Sequence, residues 1–387
     1  MTAPRRRVFL AITAYNGREF FERTLRSALQ IDTSVADLEV GVFDDASPEP
    51  GFAEWLEKTC AEYGVNYYRT PRNLGIVRNV NLGLVYARDG GHDFAIVSNS
   101  DVVYPRNLLT GLIAVADSDE KIGSVTAWSN NVSVYSLPNE NPDEMLTEQD
   151  VVNEVSEALN AQYGTAAVDI PAGISFCLLI PRRVLFDVGL MDPVFGRGYC
   201  EETDWTLRSK ARGYRITLAP GVFTYHAGQG STLAAGLLTA GETTVPANEA
   251  IVGMRYPLFR GQVQAFLNST ILNELHLWGA SSIIVGAARK RGYRVDIGSL
   301  AREGAFPDEV RVTMDVNGSG VPVARYRGFT APVFGSGVSG LDAVVGFFDG
   351  IEPTEVLLHE AGPARDVLLQ NRGGVRVVDH VTYPERV

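Results

Sequence analysis

Short strand-like runs at residues 8–12, 38–43, 65–68 and 94–98, the first and last of them wholly apolar but for Ser98, alternate with stretches whose apolar residues recur every three or four positions. Nothing else in the chain limits its fold as much. Strand, helix, strand, helix at this spacing predicts a parallel sheet with helices on both faces. The first helix is expected to open at Asn16, with Glu19 as capping partner and Phe21, Leu25, Ala28 and Leu29 on one face. A second contains Trp55 and Leu56. A third starts at Asn73-Leu74-Gly75, turns Leu82 and Val85 inward and ends at Gly90-Gly91. Ligands of such sheets bind beyond the carboxyl ends of the strands. Thr13 to Asn16, Asp44 and Asn99 to Asp101 fall at those ends, which puts them in one crevice.

Downstream, residues 122–127 and 174–180 read as strands, and the polar run at 129–150 reads as a long loop of lid or binding type. Residues 233–244 are rich in Ala, Gly and Thr and read as a flap. Residues 248–291 are helical in pattern, interrupted near Pro257 and Gly279. Strands at 310–316 and 323–326 and a βαβ-like run follow. The expected division is 1–235, a nucleotide-binding α/β domain; 236–294, a helical linker; and 295–387, a small C-terminal α/β domain.

The formal charge of −12 argues against a nucleic-acid footprint and against an anionic membrane surface. A chain this acidic must hold anionic phosphates locally, through a metal and backbone amides. Cys60, Cys177 and Cys200 are odd in number and far apart, as expected for reduced thiols in the cytoplasm. The apolar run after the basic start is too short for a signal peptide, and none reaches membrane-spanning length.

Two clusters carry the chemistry. Glu201, Glu202 and Asp204 open a helix that Gly213 closes, after a glycine-punctuated loop at 189–198. Acids in a first turn complement the helix dipole, and they equally suit a general base. Asn99-Ser100-Asp101 follows an apolar strand. Asp101 is a hard oxygen ligand suited to Mg²⁺ or Mn²⁺, and His226 could complete the coordination from another strand. Trp205 reads as core, Asp45 as a turn cap, Arg208 as a local partner of an acid, and His92, His276, His359 and His380 as structural.

These residues resemble the family 2 glycosyltransferases of the glycosyltransferase-A fold. The order is the family's: Ala11 to Gly17, Val42 to Ser47, Asn73-Leu74-Gly75 with Asn81-Leu82-Gly83, Ser98 to Asp101, Gly198 to Arg208, then Tyr225-His226. The resemblance covers about residues 7–232, with a weaker echo at Arg255-Tyr256-Pro257. It implies a Rossmann-like mixed sheet, and it implies roles. Thr13, Ala14 and Tyr15 would lie against the nucleoside, with Asp44 on the pyrimidine and Asn73 and Arg78 nearby. Asn99 and Ser100 would face ribose and diphosphate, with Asp101 and His226 on the metal. Glu202 would be the general base, and Glu201 and Asp204 would orient it or hold the acceptor. The implied reaction is inverting transfer from a UDP- or dTDP-sugar to a hydroxyl of a glycan, lipid-linked or natural-product acceptor, with self-association through the C-terminal region a further expectation.

Two other functions compete. A sugar nucleotidyltransferase would want a glycine-rich, basic phosphate loop after the first strand, and residues 13–16 are not one. A non-catalytic nucleotide-sugar-binding or scaffold protein would not need the acids at 101, 201, 202 and 204. Gly335-Ser336-Gly337-Val338-Ser339-Gly340, with Glu360 downstream, matches a dinucleotide fingerprint. Only residues 341–387 remain beyond it, too few for the second half of such a domain, so a tight turn in a docking or dimerisation module is the preferred reading.

Overall fold

The computed structural model describes residues 5–138, 148–228, 245–298, 308–316, 320–334, 340–364, 366 and 375–379. The proposed flap at 233–244, part of the polar loop, and Gly335 to Ser339 of the fingerprint lie outside them. The chain divides into two compact units, residues 1–136 with 147–272, and residues 137–146 with 273–387.

The first unit begins with β1 (Arg6–Ala14), α1 (Arg18–Ala28), β2 (Ala36–Asp44), α2 (Phe52–Tyr63), β3 (Asn66–Arg69), α3 (Ile76–Asp89) and β4 (Phe94–Ser98). It continues through β5 (Val102–Val103), α4 (Leu108–Asp117), β6 (Ile122–Trp128), α5 (Gln149–Tyr163), β7 (Val168–Asp169), β8 (Cys177–Pro181) and α6 (Arg182–Val188). Then come α7 (Glu201–Ala211), β9 (Arg215–Phe223), β10 (Tyr225–His226), α8 (Val245–Arg255) and α9 (Phe259–Leu267). Eight strands form one sheet in the order β3-β2-β1-β4-β8-β6-β9-β7. β1 to β4 are mutually parallel, as the alternation predicts, whereas β8 runs antiparallel to both β4 and β6. This is the mixed, helix-flanked sheet that the resemblance implies.

β1 shows why its run is apolar throughout. Val8, Leu10 and Ile12 point to one face, onto Phe21 and Leu25 of α1 and Leu56 of α2. Phe9 and Ala11 point to the other, onto Val77, Val80 and Leu84 of α3. A strand covered on both faces cannot alternate with polar residues. The sequence reading differs at several places, among them Gly279, which lies inside an unbroken helix at Thr270–Arg291 and does not interrupt it. Leu82 is 42% exposed, and α3 packs through Val77, Val80 and Leu84 instead. α1 starts after Gly17 without a side-chain cap, and the Asn16 carboxamide accepts from Glu49 N–H. The polar run read as loop to residue 150 ends in α5, which begins at Gln149.

The second unit contains β11 (Arg294–Ile297), β12 (Arg311–Met314), β13 (Val323–Tyr326), β14 (Phe329–Pro332), α11 (Leu341–Phe348), β15 (Glu355–Leu358) and β16 (Arg376–Asp379). Helix α10 (Thr270–Arg291) precedes them, and the division between units falls within it, at Leu272/Asn273. Six strands form a sheet in the order β14-β13-β12-β11-β15-β16. β14, which leads toward the glycine-rich stretch, is its edge strand. Among the described residues no helix is long and apolar enough to cross a membrane.

Candidate active site

The carboxyl ends of β1 and β4 open into a cavity of about 640 Å³. Ten expected site residues line it: Thr13, Ala14, Tyr15, Asn73, Asn99, Ser100, Asp101, Glu201, Glu202 and His226.

Register explains how Asp101 meets His226. β5 pairs antiparallel with β10, setting His226 opposite Val102, and Ala227 N–H donates to the Asp101 carbonyl at 2.9 Å. The turn before β5 is anchored to α1: Val102 N–H donates to Thr24 Oγ1, whose hydroxyl lies 2.8 Å from the Ser100 carbonyl. The loop after β6 holds the histidine. Asn130 exchanges two hydrogen bonds with the His226 backbone, and the ring Nδ1 lies 2.7 Å from the Asn131 carbonyl. Nδ1–H must donate there, which leaves Nε2 facing Asp101 Oδ1 at 3.4 Å. Phe176 stacks on the ring. Burial is the largest influence on the imidazole and lowers its pKa, but the Asp101 carboxylate and the Asn131 carbonyl outweigh it, so the net shift is upward.

Asp101 is 5% exposed, and its buried Oδ1 has no hydrogen bond of acceptable geometry. A buried carboxylate oxygen beside an imidazole nitrogen fixed from behind by a carbonyl is a donor set that fits a divalent cation. Among the described residues no group of three or more His, Cys, Asp or Glu side chains gathers as a metal site. A cation here would therefore take its remaining ligands from bound phosphate oxygens or water, as Mg²⁺ commonly does.

Across the cavity, α7 begins at Glu201. Glu201 is 4% exposed and its Oε2 is unpartnered. Desolvation, then repulsion from Glu202, pushes its pKa up. Desolvation also raises Glu202, against backbone N–H groups of the first turn that favour its ionised form. The two titrate as a pair.

Three expected residues lie elsewhere. Asp204 is fully buried among Arg208 Nε (2.9 Å), Arg255 Nη1 (2.7 Å) and the Tyr256 hydroxyl (3.0 Å), so its carboxylate is committed to those partners and does not line the cavity. Asp44 is fully buried too; Ser47, Tyr67 and Arg69 occupy both its oxygens, and it does not line the cavity. Arg78 is exposed over the Leu74 carbonyl, outside the lining. Asp45 lines the cavity instead, its carboxylate accepting from Leu74 and Gly75 N–H. Arg197 of the glycine-punctuated loop and Tyr199 of the Gly198–Arg208 motif also line it, although the sequence reading gave neither a site role. Trp205 is core, with Nε1 on the Gly189 carbonyl. His92 pairs with Glu39 and His359 with Asp296, His380 lies outside the described residues, and the three cysteines are free.

No curated protein matches the chain. Solved structures similar to it include GalNAc-T7 with UDP, GalNAc and Mn²⁺, at 16% identity and TM-score 0.49, over 71% of this chain and 54% of that one. Another is the mannosyltransferase PcManGT from Pyrobaculum calidifontis in complex with GDP-Man and Mn²⁺, at 18% identity and TM-score 0.43, over 77% of each chain. A third is S. aureus TarS 1–349, at 14% identity and TM-score 0.43, over 72% of this chain and 80% of that one. The chain thus spans about half the length of the first of these. The family model for glycosyl transferase family 2 matches residues 10–168, which run from within β1 through β4 and the Asn99 to Asp101 turn. That match identifies residues 10–168 as a glycosyl transferase family 2 region of the chain.

Proposed function

We propose that the protein is an inverting, cation-dependent transferase that moves a sugar from a UDP- or dTDP-linked donor to a hydroxyl of a glycan, lipid-linked or natural-product acceptor. One observation carries this reading: Asp101 Oδ1, which accepts no hydrogen bond and has only His226 Nε2 facing it at 3.4 Å, lines the same cavity as Glu201, whose Oε2 is unpartnered, and its neighbour Glu202. A nucleotide sugar needs both functions, one to stabilise the departing diphosphate and one to take a proton.

Thr13, Ala14, Tyr15 and Asn73 border the nucleoside in this reading, and Asn99 and Ser100 face ribose and diphosphate. Asp101 and His226 would hold Mg²⁺ or Mn²⁺, which when bound offsets charge on the leaving diphosphate. Glu202 accepts the acceptor hydroxyl's proton as that oxygen bonds to the anomeric carbon and the bond to the diphosphate breaks. Glutamate, with an ordinary pKa of 4.5, removes only a proton already loosened in the transition state. Burial raises Glu202 and makes it a stronger base for that task. Glu201 keeps the pair's charge low by sharing its proton.

Residues 295–387 are proposed as a domain for acceptor contact or self-association, and light scattering of the full chain against one ending at 294 would test that. A thermal-shift screen of nucleotide sugars with Mn²⁺, followed by hydrolysis of labelled donor, tests the main reading. Stabilisation by a nucleotide sugar and slow hydrolysis are expected; no response to any of them would refute it.

A further inference from the structure

The two residues just before α7 have unusual backbone. Tyr199 (φ 71°) and Cys200 (φ 73°) lie consecutively in the left-handed region, which non-glycine residues avoid and which persists only where the surroundings impose it. The kink they form sets the direction of the first turn, and so of Glu201 and Glu202.

Two restraints impose it. On one side the loop lies against the start of α3. A Cβ on Gly75 would stand 2.7 Å from the Gly196 carbonyl oxygen, and one on Gly198 would stand 2.3 Å from Ile76 Cγ2. On the other side α8 inserts Asn248, which is 5% exposed. Its Nδ2 lies 3.0 Å from the carbonyl oxygen of Phe195, 2.7 Å from that of Gly198 and 3.0 Å from that of Tyr199. Three acceptors around one atom identify it as the amide nitrogen. An aspartate of the same shape would meet those carbonyls with an oxygen.

We propose that Asn248 is a positioning residue, a clamp that holds the Tyr199–Cys200 kink and thereby aims Glu202 into the cavity. The proposal rests on Glu202 as general base, and on that reading Asn248 acts on turnover while leaving nucleotide binding alone. Asp101, Thr13 and the other residues at the strand ends lie on different elements, and among the described residues the side-chain hydrogen bonds of Asn248 go to the loop before α7.

The test compares Asn248→Ala, Asn248→Asp and Asn248→Ala with Cys200→Gly, since glycine adopts the left-handed conformation without strain. Amide hydrogen exchange, which needs no substrate, should speed up at residues 199–204 by about tenfold or more in Asn248→Ala, with the sheet unchanged. Hydrolysis of UDP-glucose or UDP-N-acetylglucosamine with Mn²⁺ should fall by about 100-fold, with the Kd for UDP within about twofold. Adding Cys200→Gly should restore most of both. Wild-type exchange and turnover in Asn248→Ala would overturn the clamp. So would losses spread over the whole sheet that Cys200→Gly does not repair. If Asn248→Ala fails to fold, Asn248→Asp carries the same comparison. Should the wild type hydrolyse neither probe, the transferase reading fails on these donors while the exchange experiment still decides the clamp.

Discussion

The first turn of α7 contains two kinds of acid. Asp204 is wholly buried and engages Arg208, Arg255 and Tyr256, so burial is compensated. Glu201 and Glu202, two to three residues earlier, face the cavity; Glu201 Oε2 has no partner, and both carboxyls are pushed up by desolvation. The strand ends repeat the contrast. Asp44 closes β2 with four hydrogen bonds from Ser47, Tyr67 and Arg69, whereas Asp101, beyond β4, keeps a buried oxygen that accepts no hydrogen bond and has His226 Nε2 at 3.4 Å. Proteins rarely leave buried polar atoms unsatisfied without a use for them. The engaged acid of each pair maintains the scaffold, and the unengaged one is available to a ligand.

That contrast can be broken most severely at Glu202. Glu202→Gln should lower turnover by about 10²–10⁴-fold without loss of stability, read by donor hydrolysis beside thermal unfolding. Asp204→Ala should do the reverse. Removing the acceptor that Arg208, Arg255 and Tyr256 share, while Arg255 keeps Asp192 and Arg208 keeps two backbone carbonyls, is expected to cost about 1–3 kcal/mol, read by denaturant titration, with nucleotide affinity retained in the folded fraction. Asp101→Ala should weaken Mn²⁺-dependent UDP binding by more than the ~10–100-fold that loss of an outer-shell partner costs. Asp44→Ala should leave that affinity within a few fold while lowering the melting temperature. Calorimetry of the two variants side by side decides between them.

The smallest expected effect is on the pH dependence of stability. A carboxyl raised in the folded state holds its proton above pH 4.5, the ordinary glutamate value, where the unfolded chain has lost it. The folded state then binds more protons, so this pair's contribution to stability falls as pH rises through the raised range. Glu201→Gln should remove the Glu201 share of that slope and leave the share that desolvation gives Glu202. Unfolding free energies of variant and wild type, subtracted between pH 5 and about 8.5, give the sign directly; a difference that grows in favour of the wild type at alkaline pH would contradict it.

Much of this was legible in the residues because the relevant physics is local. Strands buried on both faces must be apolar at every position, so 8–12 and 94–98 identify themselves, and a turn at a strand's carboxyl end announces Asn99 to Asp101. The antiparallel insertion of β8 between β4 and β6 has no local signature, since its apolar run would suit either direction. Distinguishing engaged from unengaged acids was out of reach for the same reason. Asp44 is satisfied by Tyr67 and Arg69, and Asp204 by Arg255 and Tyr256, all brought in by tertiary folding. Asp45, read as a turn cap, does cap the Leu74–Gly75 turn, and that turn forms part of the cavity wall. Asn248, on a helix after 229–244, resembles any other polar residue until the carbonyls around it are seen.

The most direct measurement takes Glu202→Gln and Asp204→Asn through the same two assays, UDP binding with Mn²⁺ and hydrolysis of a labelled UDP-sugar, each normalised to folded protein. Binding should survive in both variants, with hydrolysis lost in Glu202→Gln and kept in Asp204→Asn. Hydrolysis that persists in Glu202→Gln and disappears in folded Asp204→Asn would reverse the assignment and contradict the chemistry proposed for this site.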